Sequence, residues 1–216
     1  MNSFRPLFLA LSGAIAVMAP LLSAQPAAKL ITARTPAQIM ASYDAHRGDF
    51  DYLLGDWEFT AVSHEYGKFR GYWSAVRLDQ GQILDEYRVA GDNGETYYVT
   101  TTLRTYNAAL DRWELVGMNE GNGLQDIGAG QRAGAEMHIE QKFDVMGQNP
   151  SDWRIRYYNI QPDRFSWTAD RSMDGGKTWV KDYQQIEARR IGPARSLGPL
   201  APAQEPEPKK KPEPTR

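Results

Sequence analysis

The chain has no cysteine and only three histidines in 216 residues. The first absence excludes a disulfide framework, a lipid-modified N-terminal thiol and a thiol nucleophile, so stability has to come from packing. The histidines, His46, His64 and His138, lie far apart and show no metal-ligand spacing. Also missing are G-x-S-x-G, H-E-x-x-H and a P-loop, which removes the commonest hydrolase, metalloprotease and nucleotide signatures. No metal and no cofactor are therefore expected, and catalytic residues stay unassigned. Positive charge is scarce as well. Residues 25–191 carry 19 Lys and Arg against 24 Asp and Glu, a net of −5. A surface of that sign does not attract a phosphate backbone, which argues against a nucleic-acid partner.

Long apolar runs are limited to one, Leu7 to Leu22, preceded by Arg5 and followed by the small-residue site Leu22-Ser23-Ala24. Cation, apolar run and cleavage site in that order predict a signal peptide over 1–24 and a periplasmic or secreted protein. Ser12, Gly13 and Pro20 interrupt the run, so it is read as cleaved, leaving no integral membrane span. At the other end, residues 192–216 hold seven of the thirteen prolines and close on EPEPKKKPEPTR. This composition predicts a disordered, extended tail.

What lies between reads as one domain. Residues 25–48 form an N-terminal segment with a short helix: Thr35 is placed to cap it, Pro36 to open it, and Ile39, Met40 and Tyr43 to form an apolar docking stripe. Over 49–191 the pattern turns to period two. Trp57, Phe59 and Ala61 alternate with Glu58 and Thr60, and Phe69, Gly71, Trp73 and Ala75 with Arg70, Tyr72 and Ser74. Further strands are predicted over 82–90, 95–106, 112–118, 135–143, 152–160, 164–173 and 178–190. Turn formers such as GDNGE and GQNPSD separate them. The glycine-rich stretch 120–134 reads either as an edge strand or as a loop. A meander this long hides its edges by closing on itself. The predicted fold is all-β: a single antiparallel up-and-down β-barrel of eight to ten strands, wide enough to enclose a small ligand.

Two motifs need assignment. Ser172 to Trp179, SMDGGKTW, has the spacing of the Asp box of sialidase-type propellers, but it occurs once where a propeller repeats it per blade. Asp174, Gly175 and Gly176 instead predict a hairpin turn between the last two strands. Near the front, FDYLLGDW places Gly55-x-Trp57 at the entry to the first strand. This resembles the G-x-W of the calycins, the lipocalin-like superfamily. The resemblance implies that Trp57 plugs one barrel end and that an arginine of the last strand, Arg189 or Arg190, packs over it. More widely, Phe50-Asp51 with Gly55 and Trp57, Tyr106-Asn107 with Trp113, and Asp174-Gly175-Gly176 with Thr178-Trp179 resemble an uncharacterised family of bacterial calycin-like barrels. Asn107-Ala108 stands where that family has Asp-Pro. The resemblance spans Phe50 to Arg190 and implies a fold, not a reaction.

Strands that mix aromatic and charged residues supply the ligand-binding candidates: Glu86, Arg88, Tyr97, Arg154, Arg156 and Trp167. Three functional readings follow. The first is a barrel that binds a small apolar or amphipathic molecule. The second is an enzyme using Glu86 as base beside an arginine. The third is heme binding in the manner of nitrobindin-related barrels, with His64 or His138 as axial ligand.

Overall fold

A computed structural model describes residues 33–196; the expected signal peptide and nearly all of the expected tail lie outside them. After one helix, α1 (Pro36–His46), and a single 3-10 turn (Asp51–Leu53), ten long strands follow in order. They are β1 (Gly55–Ser63), β2 (Gly67–Arg77), β3 (Ile83–Ala90), β4 (Thr96–Asn107), β5 (Arg112–Asn119), β6 (Gly123–Ala133), β7 (Glu136–Phe143), β8 (Ser151–Gln161), β9 (Arg164–Ser172) and β10 (Val180–Gly192). Each pairs antiparallel with the next, and β1 pairs with both β2 and β10. The sheet therefore closes into a ten-stranded up-and-down barrel, at the upper limit of the predicted strand count, and closure leaves no long edge unpaired.

Strict alternation fills the interior. Trp57, Phe59 and Ala61 of β1 point inward and are buried, as are Trp73 and Ala75 of β2 and Ile155 and Tyr157 of β8. Aromatic rings carry much of this core. Phe165 meets Trp57 edge to face at 4.8 Å, and Phe50 meets Trp113 the same way at 5.0 Å. No helix among the described residues is long and apolar enough to cross a membrane.

The N-terminal end of β1 marks the closed end of the barrel. Phe50, Leu53 and Leu54 tuck in beneath it, and Trp57 donates its indole N–H to the Leu53 carbonyl at 2.8 Å. Arg190 of β10 lies over the Trp57 ring, 4.1 Å from its centroid, and donates to the carbonyls of Leu54, Tyr52 and Pro162. One guanidinium thus ties the plug to the last strand. Gly55 has φ of 109°, and a Cβ there would stand 2.5 Å from the Arg190 guanidinium and 2.8 Å from two carbonyl oxygens. Glycine is what allows the plug segment and the arginine to approach. Arg189 does not share this role: it points outward and pairs with Glu58.

Three expectations need correction. The helix has the predicted cap, with Thr35 and Gln38 bonding reciprocally, but it docks through polar groups. Ser42 bonds Asp111 at 2.6 Å and the Tyr106 hydroxyl at 2.8 Å, and Arg34 bonds Asp111 at 2.9 Å, while Met40 is 62% exposed. The glycine-rich stretch is neither loop nor edge. It is β6, paired along most of its length with β5 and β7, and its glycines leave room for neighbouring side chains. Nor does the barrel domain stop at residue 191, because Arg195–Ser196 form β11, which runs parallel to Val76–Arg77 beyond the end of β1.

The hairpin between β9 and β10 accounts for SMDGGKTW. Asp174 accepts from the amides of Lys177 and Thr178 and from the Thr178 hydroxyl at 2.7 Å, and Gly175 and Gly176 both have positive φ. The bonds run three and four residues onward. They hold the Asp174 carboxyl down to about 2, led by the hydroxyl and amide of Thr178.

Candidate functional site at the barrel mouth

Inward positions on strand after strand pass from buried at the closed end to half-buried at the opposite end. On β3, Ile83 and Asp85 are buried and Tyr87 and Val89 are half-buried; on β4, Arg104 and Thr102 are buried and Thr100 and Tyr98 are not. On β7 the change falls between Ile139 and Gln141 and on β9 between Ala169 and Arg171; on β8 Trp153 is half-buried, while Ser151 beyond it is buried again. Partial exposure of inward side chains is thus concentrated at the end opposite the Trp57 plug.

Two aromatic walls stand at that end. Phe59 stacks on Tyr87 at 4.8 Å, with Phe69 and Tyr98 each 6.3 Å further on. Across the barrel, Phe143 packs on Trp153 at 4.9 Å, and Trp153 meets Tyr183 edge to face at 5.3 Å. Arg171 closes this second wall: it bonds Glu65 at 3.0 Å and the Tyr183 hydroxyl, which itself donates to Glu65. Its Nε is buried with no partner.

Polar groups sit at two depths. Near the closed end, the guanidinium of Arg104 meets the Asp85 carboxylate at 2.5 and 3.3 Å, and Trp73 donates to the same carboxylate at 2.8 Å. Burial alone would lower the Arg104 pKa, but the adjoining Asp85, together with Tyr157 and Tyr52, more than offsets it. The Arg104 Nη1, the Tyr52 hydroxyl and the Trp113 Nε1 are buried nearby without partners, and all three residues pack around Phe50. Such groups call for ordered water or a ligand atom.

Closer to the mouth lies Asp126, 2% exposed, on the strand the sequence left unplaced. It pairs with Gly117 on one side and Phe143 on the other, and the Gln141 amide donates to it. A Cβ at residue 117 would fall 2.0 Å from its carboxylate, so glycine there makes the recess that the carboxyl occupies. Burial pushes Asp126 up to about 6, an effect that Gln141 and the more distant Arg104 only partly offset. Since the folded value lies above the ordinary one, the stability this group contributes at low pH is lost as pH rises through about 6.

Of the six ligand-binding candidates, only Trp167 faces the lumen, where it is buried against Tyr157. The other five occupy the opposite parity. Glu86 is exposed on the outer wall and cannot act as a base in the cup. Tyr97 is 68% exposed. Arg88 lies over Tyr72 at 5.1 Å, Arg154 over Trp179 at 4.0 Å and Arg156 over Tyr158 at 4.8 Å, all outside the barrel. Arg154 and Arg156 line a shallow outer groove of about 970 Å³, together with His138, Asp170 and Lys181. His138 bonds Glu136 there, His46 bonds Asp49 beside α1, and His64 is exposed in the turn after β1. No histidine side chain among the described residues stands on an inward position. The polar side chains on inward positions that sequence reasoning missed are Asp85, Tyr98, Arg104, Asp126, Gln141 and Arg171. The available signal was parity: each shares its strand face with apolar or small inward neighbours.

No known protein-family model matches this chain, and no curated protein matches it in sequence. Among solved structures it is similar to the crystal structure of Rv2717c from M. tuberculosis, with 14% identity and a TM-score of 0.50, covering 69% of this chain and 97% of that one. It is more distantly similar to EF1p2_mFAP2b bound to DFHBI, with 12% identity and a TM-score of 0.36 over 67% of this chain and 98% of that one. For a redesigned beta barrel, mFAP1, bound to DFHBI, the figures are 10% and 0.33 over 65% and 96%. The likeness to Rv2717c is one of fold alone, and the fold is a β-barrel.

Proposed function

We propose that this protein is a calycin-like barrel that binds a small apolar or amphipathic molecule in its open mouth, outside the cytoplasm. The observation that carries the reading is the exposure gradient along the inward positions of β3, β4, β7 and β9, which leaves aromatic side chains half-buried at the end opposite the plug. The calycin assignment draws support from Arg190 seated over Trp57 at the closed end, and the location from the apolar run at residues 7–22. Burying roughly 300 Å² of apolar ligand surface offers about 7 kcal/mol before ordering costs, so micromolar affinity calls for polar contacts or further burial as well.

An environment-sensitive, uncharged apolar dye such as N-phenyl-1-naphthylamine tests this with the full chain. Saturable binding is expected, and Gln141→Trp, which fills the mouth from an inward position, should weaken it at least about tenfold. Arg156→Ala on the outer wall should leave it unchanged. Binding that survives the first substitution and is lost with the second would move the site to the outer groove.

A further inference from the structure

The inward-facing charges of the lumen do not balance locally. Arg104 is taken up by Asp85, and Arg171 by Glu65 at the rim. Asp126 has only the Gln141 amide as side-chain donor, and no salt bridge reaches it among the described residues. A buried carboxylate without a counter-charge is costly, and proteins keep such a group where something neutralises it. The surroundings narrow what that is. Gly117 and Gly128 carry no side chains beside Asp126, and the room they leave is taken up by the Asp126 carboxylate and the Gln141 side chain. Phe143 pairs directly with Asp126, Trp153 packs on Phe143, and Tyr98 lies near enough to feel its charge. The Tyr87 hydroxyl next to Tyr98 is buried without a partner. Aromatic faces and an acceptor oxygen around a carboxylate make a site for a positive group, not for an anion.

We propose that the ligand is an organic cation: an amine whose ammonium pairs with Asp126 while its apolar body lies against Phe143 and Trp153. This rests on the cup reading above and names the class of molecule the cup receives. The arrangement also makes binding depend on pH. The groups that bear on Asp126 are Asp85 on β3, Arg104 and Tyr98 on β4, and Gln141 on β7. Of these, Asp85 and Arg104 neutralise each other. Binding should therefore follow the ionisation of Asp126, strong above about pH 6 and fading below it.

The test compares 1-naphthylmethylamine with 1-naphthylmethanol, near-identical in shape and different in charge, by calorimetric titration of the full chain. At about pH 8 the amine should bind roughly tenfold or more tightly than the alcohol. Asp126→Asn, which preserves shape and the Gln141 bond, should abolish that preference while leaving alcohol binding intact. Wild-type protein at about pH 5 should lose the preference in the same way, with no substitution at all. If both probes bind equally well in wild type at about pH 8, or if Asp126→Asn keeps the preference, the cation site is wrong and the cup stands. If neither probe binds saturably, the cup itself falls.

Discussion

Trp57→Ala should destabilise the protein by about 3–5 kcal/mol, the range for emptying a fully buried large aromatic site. The indole is wholly buried, edge to face with Phe165, under the Arg190 guanidinium and bonded to the Leu53 carbonyl. Removing it opens a cavity where the plug, the first strand and the last strand meet, so closure of the barrel is lost with it. For a domain of this size the melting temperature should fall on the order of 10 °C or more. Arg190→Ala should cost less, and the double variant should cost less than the two changes summed, because both remove the same contact. Melting within a degree or two of wild type for Trp57→Ala would show that the G-x-W motif does not close this barrel.

The second large effect lies in the polar core. Arg104→Met leaves the Asp85 carboxylate buried with the Trp73 indole as its remaining side-chain donor, and should cost about 3–5 kcal/mol. The pair itself contributes far less than that figure, since both charges were desolvated to form it. Replacing both, as Asp85→Leu with Arg104→Met, should accordingly recover most of the loss. Thermal melts of the two variants check the claim. A single variant as stable as wild type would mean that the ion pair is not sealed from water.

The fold was legible because the front strands are unambiguous. Trp57, Phe59 and Ala61 share one face and Glu58 and Thr60 the other, and the same two-residue rhythm runs through Phe69, Gly71, Trp73 and Ala75. The site was not legible by the same means. In LDEYRV and WRIRYYN, charged residues interleave with aromatics, and from sequence alone the charges read as ligand anchors. In the barrel, the aromatics Tyr87, Trp153 and Tyr157 point inward, which sends Glu86, Arg88, Arg154 and Arg156 to the outer wall. A one-residue difference in position reverses the face of a side chain. The charges that do face inward, Asp85 and Arg104, satisfy each other, and a charge paired across strands leaves no trace in either strand alone. Asp126 was hidden for another reason. Gly128 and Gly130 of its strand leave their space to the side chains of Gln141 and Ile139, and a strand described by what its neighbours need does not look like one. Helix α1 shows the same limit: its docking is decided by Asp111 and Tyr106, some 65 residues away in the chain.

The claim on which everything else depends is that ligand enters the mouth and not the outer groove. Backbone and side-chain NMR shifts, followed as 1-naphthylmethylamine is added to the full chain, locate the ligand directly. Binding in the cup requires the largest changes at inward positions near the mouth: Tyr98, Asp126, Gln141, Phe143, Trp153 and Arg171. Changes concentrated instead at His138, Arg154, Arg156, Asp170 and Lys181, with the inward set unmoved, would place the ligand on the outer wall and contradict the cup.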